Sequence, residues 1–298
     1  MSNIIFPEGV TWTQRYVTGG DFVPISAELN SVGNLYRYAS NTIIRVSFDT
    51  SNVTNMSLMF LACRSLTTIT QFDTSSVVDM QQMFSSCSLL TSIPHFNTSN
   101  VTNMSYMFDE CKQLITIPQL DTSSVTNMSY MFRNCSKLTT VPQLDTSNVT
   151  TVERMFYYCS ELIELPDFNC VKLTNFGGSS SFTWLYNCYN LKKIGVVDCD
   201  SVTNIGYFFG SSALNSLTDF GGCRNLGKAN SVSNTNGSYF MNYAPNLTYE
   251  SVMNVINGLY DRASAGLSVL TLKLHANHLA MLSEDDIAIA TNKGWTIV

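Results

Sequence analysis

Charge is what this sequence has least of. Only 13% of its 298 residues are Asp, Glu, Lys or Arg, about half the roughly 25% of ordinary soluble domains. The balance is acidic, at −6. Without a basic face there is no footprint for nucleic acid, and no attraction to an anionic membrane surface. No run approaches 18 apolar residues, so no segment is expected to insert in a membrane. The start, MSNIIFPEGVTWTQRYV, lacks a basic n-region, an apolar core and a small-residue cleavage site. The expectation is a soluble chain without an export signal of its own, or a mature fragment of something larger.

Catalytic vocabulary is equally thin. No G-x-S-x-G, Walker loop or dinucleotide fingerprint occurs. Gly177-Gly178 and Gly221-Gly222 are not followed by the helix start that a phosphate site needs. No C-x-x-C pair exists among the cysteines, which weakens a zinc reading. The histidines are His95, His275 and His278. The last two have a helical i, i+3 spacing, but no third ligand accompanies them. The sequence therefore implies no enzyme, no metal and no cofactor.

What is present is repetition. FDTSNVTNMSLMFLACRSLTTITQ begins at Phe48 and restarts at Phe72, Phe96, Leu120 and Leu144, five copies of 24 residues without an insertion. A strict period of this size signals a solenoid of stacked coils. Stacking also accounts for the missing charge. Equivalent residues of adjacent coils lie about 4.8 Å apart, so a repeated charge faces its own copy. Ser, Thr and Asn carry no such penalty.

Comparing the copies separates fixed from free columns. The fixed apolar columns are those of Val53, Met56, Met59, Phe60, Cys63, Leu66 and Ile69. Met56, Met59, Phe60 and Cys63 fall at i, i+3, i+4 and i+7, one face of a short helical turn. Residues 66–72 are rich in Thr and Ile and read as a strand. Pro94, Pro118, Pro142 and Pro166 follow it in four copies and mark where pairing ends. Each coil is thus one short parallel strand and one helical or irregular return segment.

The Cys column and three polar ones, those of Asp49, Asn52 and Asn55, carry polar or reactive groups. Cys63, Cys87, Cys111, Cys135 and Cys159 form a ladder, and Cys170, Cys188, Cys199 and Cys223 lie outside it. In-register side chains pointing the same way do not readily reach the near-90° torsion of a disulfide, so the ladder reads as buried free thiols. Asp49, Asp73, Asn97, Asp121, Asp145, Asn169 and Asp198 suggest either stacked calcium ligands or Asx turns. Thr-Ser after the acid, and the lack of glycine-rich turns, favour the turns. The N-x-[ST] triplets at Asn52, Asn55, Asn103 and Asn127 are treated as products of the repeat rather than glycosylation acceptors.

Outside the array the period fails. Residues 1–47 match no copy. Residues 10–17 and 35–46 read as strands, punctuated by Pro7, Gly19, Gly20 and Gly33, and form an N-terminal cap. The solenoid is placed at 48–226, regular over 48–167 and degenerate over 168–226, with GGSSS at 177–181 as an insertion. DCDSVTNI at 198–205 echoes the repeat, and Phe208-Phe209 fills the Met-Phe columns. GKANSVSNTNGS at 227–238 is a polar loop, and 227–298 forms a linker and an α/β C-terminal cap. There Thr248 caps a helix with a Val252, Val255, Ile256, Leu259 stripe. Residues 268–274 read as a strand, Ser283 with Asp286 caps a second helix to about 291, and 295–298 form a last strand.

The block DTSNVTNMSYMF-x-x-C-x-x-L-x-x-I-P, most complete at residues 121–142, resembles the leucine-rich-repeat family, specifically its BspA-like branch. The resemblance covers 48–167 strongly and extends to about 220 in degenerate form. It implies an α/β solenoid of 24-residue coils capped at both ends. The LTYES…NKGWTIV tail also resembles the closing segment of bacterial and phage BspA-like proteins.

The free columns read Leu58/Gln82/Tyr106/Tyr130/Arg154, Leu61/Ser85/Asp109/Arg133/Tyr157 and Ala62/Ser86/Glu110/Asn134/Tyr158. They interleave with buried columns and are expected to face outward on the return segment. Tyr and Arg most often anchor interfaces, so Tyr106, Tyr130, Arg133, Arg154, Tyr157 and Tyr158 form the candidate binding surface. The competing reading is that these tyrosines only stack on one another. The preferred functional expectation is a non-catalytic bacteriophage virion component, a fibre, tail or surface decoration, touching other virion proteins, a protein partner or a cell-surface glycan. The alternative is a BspA-like adhesin on the surface of a bacterium or protist.

Overall fold

In the computed structural model the described residues are 49–176, 183–204, 208–209, 214–229, 241 and 244–298. Before residue 49 they are 14–16, 22–24, 35, 37–38, 40, 43–44 and 46. The expected insertion at 177–181, nearly all of the polar loop at 227–238 and the punctuating Pro7, Gly19, Gly20 and Gly33 lie outside them. Near the N-terminus, β1 (Gln14–Tyr16) pairs antiparallel with β2 (Phe22–Pro24). Next comes β3 (Ile43–Ile44), which pairs in parallel with β4 (Thr68–Ile69) in the first full copy.

The repeats stack as a solenoid. The fixed columns point inward, and Val101, Met104, Met107, Phe108, Cys111 and Leu114 are fully buried. The Phe column is a continuous stack, with centroids 5.2, 5.8, 5.6 and 5.5 Å apart from Phe60 through Phe84, Phe108 and Phe132 to Phe156, and planes within 8° of parallel. A second inward column is polar. Thr50, Thr74, Thr98 and Thr122 are buried, and each hydroxyl donates to a carbonyl of the next coil, at Asp73, Asn97, Asp121 and Asp145, over 2.6–2.9 Å.

The return segment is not helical. Among the described residues of the repeats there is no α-helix. In the coil starting at Phe96, eight successive N–H groups are satisfied by alternation. Those of Met104, Tyr106, Phe108 and Glu110 donate to Asn127, Ser129, Met131 and Arg133 of the next coil. Those of Met107, Asp109 and Cys111 close turns onto Met104, Tyr106 and Phe108, and Ser105 donates to the Asn103 side chain. A helix would spend every N–H inside its own coil. Alternation leaves half of them to hold the next coil, and satisfies all of them. It requires left-handed backbone twice per coil, at the Leu58, Gln82, Tyr106, Tyr130, Arg154 column and the Ala62, Ser86, Glu110, Asn134, Tyr158 column (φ 51–63°). Of the two expected forms, helical or irregular, the return segment takes the second; the pattern could not separate them because both geometries turn i, i+3, i+4 and i+7 inward.

The strand side also differs from the expectation of one strand per coil. Beyond β4 the next strands are β5 (Glu164–Leu165), β6 (Lys193–Ile194), β7 (Val197–Asp198), β8 (Asp219–Phe220) and β9 (Cys223–Arg224). They pair in parallel as β5-β6-β8 and β7-β9. The three coils between β4 and β5 have none. Proline explains the gap. The β3–β4 pair is closed by the Thr70 N–H on Ile44, β5–β6 by Gly195 on Leu165, and β6–β8 by Gly221 on Ile194. Pro94, Pro118 and Pro142 occupy that donor position in the three coils between, and Pro166 occupies it directly after β5, toward the coil before; none has an N–H to give. Gly195 is also forced by packing, since a Cβ there would lie 2.2 Å from Asp167.

The C-terminal elements follow the sequence reading closely. Helix α1 (Tyr249–Gly258) is capped by the Thr248 hydroxyl, and its Val252, Val255, Ile256 and following Leu259 are buried. It sits on the last coil, where the Ser251 hydroxyl accepts the Phe220 N–H at 2.8 Å. Strand β10 (Leu270–Leu272) precedes a one-turn helix α2 (Ala276–Leu279), which the sequence reading lacks. Helix α3 (Glu284–Asn292) carries the Ser283–Asp286 capping box, and β11 (Trp295–Ile297) pairs in parallel with β10.

Candidate functional site

The return segment positions the candidate residues. Left-handed backbone throws the side chains of Tyr106, Tyr130, Arg154 and Tyr158 outward, between inward-turned neighbours. Stacking the coils then brings all six candidates into one continuous patch. Tyr106 and Tyr130 are stacked at 4.3 Å and 7°. The Arg154 guanidinium lies 5.5 Å from the Tyr130 ring centre and 5.2 Å from that of Tyr157. Arg133 lies 5.9 and 5.4 Å from the centres of Tyr106 and Tyr130. Tyr157 and Tyr158 meet at 4.8 Å. These are distances at which guanidinium and ring attract.

The columns are less exposed than expected. Ser85 and Asp109, in the column of Arg133 and Tyr157, are buried, and of the six candidates only Tyr158 is exposed, at 43%. Asp109 is buried because Arg133 covers it, with Nε and Nη2 each donating to one carboxylate oxygen at 2.7 Å. Two parallel charge-assisted bonds fix the guanidinium plane. Burial raises the Asp109 carboxyl above its usual range although Arg133 opposes it, and the bond to Asp109 raises Arg133. The Tyr130 hydroxyl donates to Glu153, and burial, helped by that carboxylate, pushes the phenol well above its usual value. Burial likewise raises Tyr157.

The structure adds members that the columns did not suggest. Tyr186 stacks on Tyr157 at 4.8 Å and 14°, and lies 5.6 Å from Tyr158. Its place is legible only from the bond between the Tyr158 N–H and its carbonyl, because the period slips between the two residues. Tyr189, three residues on from Tyr186, is half exposed and donates to Asn187 at 2.6 Å. The patch is an aromatic ridge seen edge-on, crossed by two guanidinium groups and bordered by carboxylates.

Other candidate positions resolve into structure. Asp49, Asp73, Asn97, Asp121 and Asp145 each accept the N–H two residues on, at 2.8–3.2 Å, which makes Asx turns. These bonds hold the carboxyls of Asp49 and Asp73 below the usual range, and Asp121 likewise through its Ser123 hydroxyl and N–H. Asn55, Asn103 and Asn127, the acceptors of three N-x-S triplets, form a second such row on Ser57, Ser105 and Ser129. All nine cysteines are buried thiols outside any disulfide. Each of Cys87, Cys111, Cys135 and Cys159 donates its S–H to the Phe carbonyl of the coil before, at Phe60, Phe84, Phe108 and Phe132, over 3.0–3.1 Å, and burial raises their thiol pKa values. His275 caps α2 through Nδ1, and His278 turns inward to bond the Ala244 carbonyl at 3.1 Å. Among the described residues no group of three His, Cys, Asp or Glu side chains gathers around a common point.

Comparison with known proteins bears on the array first. A family model described as "Mycoplasma protein of unknown function, DUF285" matches residues 30–116 and 88–183. Two solved structures are similar at 15% identity. A leucine-rich repeat protein from Bacteroides ovatus covers 72% of this chain and 76% of its own, with a TM-score of 0.31. A leucine rich cell surface protein from Faecalibacterium prausnitzii covers 100% and 94%, with a TM-score of 0.36. Superpositions this loose carry no weight for the fold or the role of the present chain. No curated protein matches it.

Proposed function

The chain belongs to the DUF285 family, since the two overlapping matches together span residues 30–183, and from its surface we propose a non-catalytic recognition protein that binds a protein partner through the tyrosine–arginine ridge. One observation carries the reading. Left-handed backbone costs an ordinary L-residue about 1–2 kcal/mol, and Gly or Asn meets that demand most cheaply. Yet the ridge places Tyr106, Tyr130, Arg154 and Tyr158 there. Stacking for stability does not require large side chains at those positions, because the Phe, Met and Cys columns already fill the interior. Large, preorganised, half-buried Tyr and Arg are what interface anchors consist of.

A protein fits the ridge better than a glycan does. Tyr106 and Tyr130 lie face to face, so they offer edges and hydroxyls rather than open ring faces. Display on a cell surface is preferred to the virion expectation, because the family is described from Mycoplasma proteins. Among the described residues no helix is long and apolar enough to cross a membrane.

The test is panning of a peptide-display library on the immobilised chain. Enriched peptides are expected to bind Tyr130→Ala and Tyr157→Ala at least tenfold more weakly, while both variants keep cooperative melting. Equal binding by folded variants would move the interface elsewhere. Mass spectrometry that finds the chain in purified phage particles would restore the virion reading.

A further inference from the structure

About half a coil along the chain from the ridge, a groove of about 920 Å³ runs across four coils, along the solenoid axis. Two repeat positions build its rim, three coils contributing both and the fourth only the second. One is His95, Gln119 or Gln143, and the other Asn97, Asp121, Asp145 or Asn169. The Gln amides are fixed in orientation. Gln119 Nε2 donates to the carbonyls of Leu120 and Gln143, and Gln143 Nε2 to those of Leu144 and Asp167, so each Oε1 is left to face away. Asp121 and Asp145 each use Oδ1 on the following Asx turn. Neither Oδ2 takes part in a hydrogen bond with the described residues.

From this we infer a second binding site, for a linear, neutral, hydroxyl-rich polysaccharide lying along the solenoid axis. The argument is one of repeat and of polarity. An extended peptide repeats its side chains on one face about every 6.6–6.8 Å, out of step with coils stacked at about 4.8 Å. A polyol chain offers hydroxyls at every monomer and needs no such alternation. Hydroxyls both donate and accept, which suits a rim that mixes outward carbonyl oxygens with the amides of Asn97 and Asn169. Among the described residues no Lys or Arg lines the groove, so polyanions have no counter-charge there. The rim is also mainly neutral, with Asn rather than Asp at both ends, so a polycation finds charge at only two of four steps.

Native affinity electrophoresis of the full chain tests the site, with hydroxyethylcellulose, a linear mannan and a linear β-1,3-glucan as probes and spermine as the cationic competitor. At least one glycan is expected to retard the chain. Gln119→Ala/Gln143→Ala should weaken retardation at least fivefold. Asp121→Asn/Asp145→Asn should leave it within about twofold, since Asn already occupies that column at 97 and 169 and preserves the turn. Thermal melting confirms that each variant is folded. Tyr130→Ala/Tyr157→Ala should not alter retardation, which separates this site from the ridge. Absence of retardation by all three glycans overturns the proposal. So does retention of full retardation by a folded Gln double variant, or binding of spermine that the Asp double variant abolishes. If the Gln double variant does not fold, His95→Trp, which blocks one end of the groove from an exposed position, takes its place under the same criterion.

Discussion

The two sides of each coil hold the stack in opposite ways. On the return side every junction from the first regular copy to the fourth and fifth carries four backbone bonds, as in Met104, Tyr106, Phe108 and Glu110 onto the next coil. On the strand side the middle junctions are nearly bare. Between the coils of Thr91, Ile115 and Thr139 the backbone ladder among the described residues is one bond per step, Ile115 to Thr91 at 3.3 Å and Thr139 to Ile115 at 3.2 Å. In the column of the prolines, the paired strands β3–β4, β5–β6 and β6–β8 form where Thr70, Gly195 or Gly221 replaces proline as the donor. The segment whose copies disagree most on its surface is therefore the one whose backbone is most completely bonded. Variation is tolerated there because the bonds belong to the main chain and the inward columns, not to the outward side chains.

The largest break of this comparison is Gln82→Pro on the return side. It removes the N–H that bonds Ser105 at 2.9 Å and demands negative φ where the chain has +54°. A loss of about 3 kcal/mol or more is expected, read by chemical denaturation. A loss below about 1 kcal/mol would mean that the return ladder is not what holds the coils.

A second prediction contrasts the array with its C-terminal cap through pH. Burial lowers His278 from 6.5 to about 4, so the folded cap holds it neutral while the unfolded chain protonates it. Its contribution is complete above pH 6.5 and is lost as pH falls toward 4, by up to about 3 kcal/mol. The Asx carboxyls of Asp49, Asp73 and Asp121, held below their usual range, keep the array's contribution until pH falls below about 4. Hydrogen exchange at pH 7.5 and 5 should show the cap loosening first. His278→Gln should flatten that difference, and equal pH dependence of cap and array would overturn it.

The smallest effect is expected on the strand side. Pro118→Thr supplies an N–H opposite the Ile93 carbonyl, as Thr70 does for Ile44. Net stability should change by no more than about 1 kcal/mol, the scale of one exchanged hydrogen bond. The amide at position 118 should become protected from exchange. An unprotected amide there would show that proline is not what keeps strands out of the middle coils.

Several features were legible because the repeat acts as its own alignment. A column that stays Phe or Cys through five copies faces inward, and Thr248 and Ser283 announced their helices by local capping chemistry that needs no tertiary context. Other features were not. The turn-by-turn return segment shares its inward spacing with a helix, and only the bonds to the next coil tell them apart. The proline column was visible, but its consequence falls on the pairing of two coils rather than on its own residue. Thr50 and its copies read as turn residues, and their hydroxyl ladder to the next coil needed the stack. Asp109 reads as an outward acid until Arg133, 24 residues on, is folded over it.

The solenoid, its period, the set of side chains that fill it and the helices that close it follow from the chain's own pattern, because those depend on short-range pattern repeated in register. Which N–H groups bind across coils, where strands form, and how Tyr186 joins Tyr157 beyond the slip in the period came from the folded stack. Those outcomes depend on which coil lies next to which, and a linear pattern holds that information only where the spacing never changes.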